Sequence, residues 1–149
     1  MKKVLLFLVI SLSCTLFVCA QGSSAGNNAP NERSMRIKIT VGNTILTAFL
    51  LDNTTARAFA EKLPLTLPMQ DLYNRELVYR FPDPLPTDSV YFSGYTVGEI
   101  IYWPPRHSFV IMYAQNGERF SMQKIGHIED AVEIFRTTGN VNVSFEIVK

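Results

Sequence analysis

The chain has 149 residues, with 14 basic and 13 acidic side chains and a formal net charge of +1 at pH 7. Nearly half of its residues are hydrophobic, and its only basic cluster is Lys2 with Lys3. A near-neutral chain without a basic patch lacks the electrostatic footprint that binding to a phosphate backbone requires. Nucleic acid is therefore not an expected partner.

The first twenty residues are typical of a signal peptide. Lys2 and Lys3 precede an apolar stretch that runs with small interruptions to Val18, shorter than the roughly 20 residues of a membrane-spanning helix. Val18 and Ala20 stand three and one residues before Gln21, where a signal peptidase accepts small residues. We expect cleavage after Ala20 and export to the periplasm or the extracellular space.

A second cleavage site lies just before Cys19. The segment from Leu16 to Cys19 resembles a bacterial lipobox, in which the cysteine is acylated, although Val18 is larger than the residue usual there. In this alternative the protein is a lipid-anchored envelope protein, and the lipid on Cys19 is its only attachment to a membrane. Cleavage after Ala20 instead removes both cysteines, which excludes a disulfide, a thiolate nucleophile and a cysteine metal site.

A polar linker and a single domain follow the leader. Residues 21–34 are rich in Gly, Ser and Asn and have no periodic apolar residue, which is typical of a flexible linker. Residues 35–149 have the size of one ordinary domain and can bury a single core.

The domain begins with a predicted β-hairpin. Apolar and polar residues alternate over 35–41, Gly42 and Asn43 supply a turn, and 44–50 form the returning strand. Asp52 or Asn53 then caps a short predicted helix, whose apolar residues recur at helical spacing until Pro64 ends it.

The rest of the domain is predicted to be mainly β. Further strands are expected over 65–69, 76–81, 97–103, 109–114, 119–124 and 141–148, with a second short helix over 128–135. Pro68 favours an edge position for its strand, and three prolines make 82–88 a stiff loop. About eight short strands with two short helices predict a barrel or a sandwich, because closure or layering buries such a sheet.

Four segments resemble the bacterial and archaeal cyclophilin-like fold proteins. They are ITVGNT from Ile39, TARAFA from Thr55, PDPLP from Pro82 and, most specifically, GEIIYWPPRHSFVI from Gly98. The resemblance covers about 35–147. It implies a mainly β fold, a closed antiparallel cyclophilin-like barrel of about eight strands with a short helix over each end.

The resemblance does not extend to the isomerase motifs. Cyclophilins that isomerise X-Pro bonds carry a Phe-His-Arg strand segment and a following Gln-Gly-Gly region, and neither string occurs in this chain. No catalytic residue is therefore assigned. The comparison does place Arg80, in its strand, roughly where the isomerase arginine stands.

The loop after the fifth predicted strand offers candidate ligand-binding residues. Pro104 and Pro105 keep it out of the sheet, while Trp103, Arg106 and His107 supply stacking, charge and a titratable nitrogen. Together with Arg80 these three form the candidate site. In the alternative, Trp103 fills the end of the barrel while Arg106 and His107 are a solvated loop tip.

No metal or cofactor is expected. His127 has no second ligand at metal spacing beyond two acids that resemble a helix start, and Asp83 with Asp88 flank a turn. A nucleophile elbow, a phosphate-binding loop and a dinucleotide motif are all missing from the sequence. The sequence thus predicts a binding module for a small ligand or peptide. A divergent prolyl isomerase acting on exported proteins is the alternative.

Overall fold

The computed structural model describes residues 34–148, so the predicted signal peptide and all but the last residue of the predicted linker lie outside the described residues. Within this range the chain forms nine strands, two short helices and one 3-10 turn, Pro104–Arg106. The helices are α1 (Thr54–Ala60) and α2 (Phe135–Thr138). The strands are β1 (Met35–Val41), β2 (Thr44–Leu50), β3 (Leu65–Leu72), β4 (Glu76–Arg80), β5 (Tyr91–Ser93), β6 (Glu99–Trp103), β7 (Ser108–Met112), β8 (Phe120–Ile128) and β9 (Val141–Ile147).

Eight of the strands form a closed antiparallel barrel. Their order is β2-β1-β9-β3-β4-β7-β6-β8, and three residue pairs from Ala48–Ile128 to Leu50–Gly126 join β8 back to β2. Closure satisfies the sheet edges that an open sheet would leave exposed. The predicted fold, a mainly β closed barrel of about eight strands with two short helices, is confirmed.

The remaining strand, β5, lies outside this ring. β5 pairs with residues 120–122 of β8, whereas β2 pairs with residues 126–128 of the same strand. The sequence analysis missed β5, because three residues are too few to show an alternating pattern.

Side chains of the barrel strands alternate between a packed interior and a second apolar cluster on the outer face. In β6, Ile100 and Tyr102 belong to the interior core, while Ile101 belongs to the outer cluster. The same alternation in β4 places Leu77 inside and Val78 outside. A period of two on a closed sheet therefore gives the protein one core and one separate apolar cluster on the outer side of the sheet, and the residues of this cluster are also buried. The outer cluster consists of Val78, Tyr95, Ile101, Val110, Met112 and Met122, with Leu72 and Phe120 packed against it.

The two helices cover opposite ends of β7. The amide oxygen of Asn53 caps α1 by accepting a 2.9 Å hydrogen bond from the Ala56 amide, as predicted for this position. Phe59 of α1 stacks on Phe109 at the start of β7, with ring centroids 4.4 Å apart. Phe135 of α2 packs on Tyr113 just beyond the end of β7, with centroids 6.3 Å apart.

The second helix is shorter and starts later than predicted. The sequence pattern placed it over 128–135, but α2 begins at Phe135 and has four residues. Ile128 is instead the last residue of β8 and pairs with Ala48 where the barrel closes. The apolar residues Val132 and Phe135 are buried, so their spacing indicated which residues are buried and not where the helix lies.

Candidate functional site

A groove of about 630 Å³ lies on the outer face of the barrel, over β4, β7 and β6. This volume is in the range of sites that hold small ligands. Its apolar lining residues are Leu72, Val78, Ile101, Val110 and Phe120. Its polar and aromatic lining residues are Tyr73, Arg75, Glu76, Arg80, Trp103, Arg106, Ser108, Asn116 and Glu118.

Strand register arranges the middle of the groove in cross-strand rows. Val78 pairs with Val110, and Val110 pairs with Ile101, which gives one apolar row across three strands. The next row consists of Arg80, Ser108 and Trp103. Because residues two apart on a strand share a face, the two rows lie side by side on the outer surface.

The loop between β6 and β7 is held by its own hydrogen bonds. The Ser108 hydroxyl donates to the Arg106 carbonyl oxygen at 3.1 Å, and the His107 amide donates to the Pro104 carbonyl oxygen at 3.1 Å. His107 adopts a left-handed conformation with φ of 48°, and its carbonyl accepts from the Phe81 amide at 3.0 Å. These contacts fix the backbone that carries Arg106.

Three of the four predicted site residues line the groove. Arg80, Trp103 and Arg106 meet at one end of it, and His107 is not among the lining residues. In the alternative interpretation, Trp103 fills the end of the barrel. The structure instead places Trp103 in the lining of the outer groove and not in the barrel core. Its neighbour Tyr102 points into the core, and the Tyr102 phenol oxygen accepts a 2.9 Å hydrogen bond from the Leu85 amide.

The arginine side chains at this end have no protein partner among residues 34–148. Neither Arg80 nor Arg106 forms a salt bridge, a side-chain hydrogen bond or a cation–π contact there. Both side chains belong to exposed residues. We refer to Arg80, Trp103 and Arg106 as the arginine end of the groove.

The opposite end contains a buried ion cluster that the sequence analysis missed. Arg75, just before β4, bonds Glu76 at 3.1 Å and also bonds Glu118 from the loop before β8. Its side chain is only 9% exposed, and its guanidinium lies over the rings of Tyr73 and Tyr95 at 5.4 and 5.8 Å. We refer to Arg75, Glu76 and Glu118 as the acidic end, since two carboxylates share one guanidinium.

The acidic end shifts the titration of its members in different directions. Burial raises the pKa of Glu76 above its ordinary value, and attraction to Arg75 only partly offsets that rise. The hydrogen bond from Arg75 lowers the pKa of the exposed Glu118. Burial alone would lower the pKa of Arg75, but its bond to Glu118 and the charge of Glu76 raise it overall. Arg75 is therefore charged at neutral pH.

One atom of this cluster has no hydrogen-bond partner. The Arg75 Nε is buried and unpaired, although both terminal nitrogens of the same guanidinium bond carboxylates. Arginine followed by glutamate in a tight strand connection was the only sequence signal for this cluster. Glu118, 43 residues away along the chain, could not be assigned to it without the fold.

Metal-ligand clusters and membrane-spanning helices are both absent from the described residues. Between residues 34 and 148, no three or more His, Cys, Asp or Glu side chains are grouped as a metal site would require. Over the same residues, no helix is long and apolar enough to cross a membrane.

Comparison with known proteins identifies the family. The model of the cyclophilin-like family matches residues 39–146, most of the chain. The chain belongs to the cyclophilin-like family. Among curated proteins, none matches this cyclophilin-like chain.

A solved structure shares the fold of this cyclophilin-like domain. The solution structure of the hypothetical protein AF2241 from Archaeoglobus fulgidus aligns with a TM-score of 0.61 at 16% identity. The alignment covers 77% of this chain and 95% of the archaeal one. At this identity the likeness supports the fold alone.

The groove of this cyclophilin-like domain combines cationic, aromatic and apolar side chains. Unpaired guanidinium groups donate several hydrogen bonds in fixed directions, and an indole ring offers a face for stacking. The apolar row between the two ends can exclude water from a bound molecule. Such a surface can hold a molecule that combines polar and apolar parts.

Proposed function

We propose that the domain is a binding module and that its ligand, a small molecule or a peptide, occupies the outer groove. The observation that carries the proposal is the pairing of an apolar row with two unpartnered arginines and Trp103. Apolar pockets with a few convergent polar groups are the usual form of ligand sites.

The single tryptophan makes this proposal directly testable. Trp103 is the only tryptophan of the chain and lines the groove, so tryptophan emission excited selectively over the tyrosines reports on this site. We expect a saturable change in its emission, and a rise in melting temperature, with at least one member of a panel of small metabolites and short peptides.

Two variants and one control complete the test. Trp103→Ala and Arg106→Ala should remove the thermal shift, whereas Arg136→Ala should retain it, because Arg136 is exposed on α2 and does not line the groove. A panel that leaves both fluorescence and melting temperature unchanged contradicts the proposal. So does a shift that survives both groove variants.

A divergent prolyl isomerase is the second candidate. Arg80 lies beside the apolar row, where a guanidinium could bond a proline-preceding amide as it twists and loses resonance. A peptide isomerisation assay at high protein concentration tests this role. A rate equal to the uncatalysed one rejects this role. A rate for Arg80→Ala that equals the rate of the unmodified protein rejects it as well.

We also propose that the domain acts outside the cytoplasm. The support is the leader pattern over residues 1–20, with cleavage after Ala20 or before an acylated Cys19. Mass spectrometry of the mature protein distinguishes a free N-terminal Gln21 from a lipidated Cys19. An uncleaved N-terminus in the native host would contradict export by either route.

A further inference from the structure

We infer that the ligand of the groove is an amphipathic organic anion, with one carboxylate or phosphate head group at the arginine end and an apolar body that crosses the row of Val78, Val110 and Ile101 toward the acidic end. This inference deepens the proposed binding function and depends on it. Three observations carry it: the charge at each end, the pairing of the groove backbone and the length of the apolar surface.

The first observation is the difference in charge between the two ends. Arg80 and Arg106 have no acidic partner among residues 34–148, so the arginine end keeps two positive charges. At the acidic end, Glu76 and Glu118 both bond Arg75, whose charge they more than neutralise. An anionic head group is attracted to one end and repelled by the other, which gives the ligand a single orientation.

The second observation concerns the backbone beneath the ligand. Val78 pairs with Gln70 on one side and Val110 on the other, and Ile101 pairs with Val110 and Lys124. The backbone of the apolar row is therefore occupied on both sides by its own sheet. A peptide laid across this row would lose water from its N–H and C=O groups without gaining main-chain partners, whereas an aliphatic or aromatic body has no such groups to satisfy.

The third observation is the distance between the two ends. Glu76 and Arg80 are four residues apart on β4, which corresponds to about 13 Å along an extended strand. The apolar lining of the groove, including Leu72 and Phe120, is continuous with the outer cluster of the barrel. Val78, Val110 and Ile101 are at most 4% exposed and form the floor of the groove, so a body of up to about this length fits above them before its far end reaches the carboxylates.

Octanoate, octyl phosphate, octanol and octylammonium are suitable probes, because they share one apolar body and differ in the head group. We expect octanoate and octyl phosphate to change Trp103 emission with affinities about tenfold or more above those of octanol and octylammonium. Added salt should weaken the two anions and leave octanol unchanged, since only the anions depend on charge.

Arginine variants test the head-group position. The double variant Arg80→Gln with Arg106→Gln should bind octanoate no more tightly than octanol, and it keeps the tryptophan that reports binding. Arg136→Gln is the matched control and should behave as the unmodified protein. Circular dichroism checks that the double variant is folded. We expect it to fold, because both substituted residues are exposed.

The outcomes separate this inference from the proposed function. Equal affinity for octanol and octanoate, or tighter binding of an uncharged capped peptide, overturns the anionic ligand while the groove remains a binding site. Loss of octanoate binding in the control variant also overturns it. If no probe and no member of the wider panel affects emission or melting temperature, the proposed function itself fails.

Discussion

Arg80 and Trp103 stand in one cross-strand row on the outer face of the barrel, with Ser108 of the central strand between them. Since neighbouring strands lie about 4.8 Å apart, the two backbones are roughly 10 Å from each other. Ser108 itself is buried, at 2% exposed, beneath this row. The same serine supports the loop that carries Arg106.

Replacing Ser108 with alanine should weaken this loop. The variant loses the hydrogen bond from the hydroxyl to the Arg106 carbonyl, and we expect the free energy of unfolding to fall by about 1 kcal/mol. Urea unfolding monitored by Trp103 emission measures it. Ser121→Ala is the control, because Ser121 is exposed on β8 and makes no side-chain hydrogen bond among residues 34–148. Equal losses in both variants would contradict the assigned role.

Asp88 should make the free energy of unfolding depend on pH in the acid range. Its carboxylate accepts hydrogen bonds from the amide and the hydroxyl of Thr54 and from the Gln123 amide, and these bonds lower its pKa to about 2. A lowered pKa in the folded state means that the stabilisation is present above the ordinary value of 3.8 and disappears as the pH falls through about 2.

The measurement is urea unfolding from pH 7 down to pH 2. Asp88→Asn should lose stability at pH 7 and show a shallower decline in acid than the unmodified protein. Asp83→Asn, in the same proline loop, is the control, because Asp83 is exposed and makes no side-chain hydrogen bond among the described residues. An unchanged acid profile in Asp88→Asn would remove Asp88 from this role.

Gly126 should tolerate no side chain at the barrel closure. A Cβ at this position would lie 2.5 Å from the Phe49 carbonyl oxygen, and Phe49 belongs to the three-residue ladder that joins β2 to β8. Backbone cannot yield there without separating the strands, so we expect Gly126→Ala to cost about 3 kcal/mol of stability. In Gly94→Ala, the nearest atom would be 3.9 Å away, and thermal unfolding should be almost unchanged. Similar melting temperatures for both variants would contradict this account.

Arg75 should be required for the acidic end of the groove. Without it, Glu76 remains a buried carboxylate with no counterion, and we expect Arg75→Gln to lose about 3 kcal/mol at pH 7. The pKa of Glu76, already raised by burial, should rise further, because the attraction that lowers it is gone. A raised pKa in the folded state means that the penalty exists at neutral pH and shrinks as the pH falls toward the pKa of the unfolded chain.

Calorimetry at pH 7 and near pH 4.5 measures this effect. The double variant Arg75→Gln with Glu76→Gln should recover part of the loss at pH 7, since it removes the uncompensated charge. A deficit that is the same at both pH values, with no recovery in the double variant, would show that Arg75 contributes through packing alone.

The sequence predicted the barrel well because its strands obey local rules. The hairpin at Gly42 and Asn43 and the cap at Asn53 depend on neighbours within a few residues, and both occur where expected. Pro68 also occupies a locally open position, since residues 65–69 pair only with β9 and residues 70–72 only with β4. Proline has no backbone N–H to donate, so it suits a strand position that has no partner strand on one side.

The groove could be predicted only in part. The family resemblance predicted Arg80, and the distinctive proline loop predicted Trp103. Their position in one row depends on the register of β4, β7 and β6. The acidic end depends on Glu118 reaching Arg75 across 43 residues, which no local pattern encodes. Local rules define strands and turns, whereas a site assembled from several strands is defined by their pairing.

The alternation of inner and outer residues also makes this barrel a suitable scaffold for engineering. Along β4, Leu77 faces the core and Val78 belongs to the buried outer cluster, while Arg80 is exposed, so a designer can randomise exposed outer positions without altering a packed apolar contact. The same holds for Trp103 beside the buried Tyr102 on β6. Libraries confined to the outer positions should yield folded variants with new specificities, each carrying its own fluorescent sensor wherever Trp103 is kept.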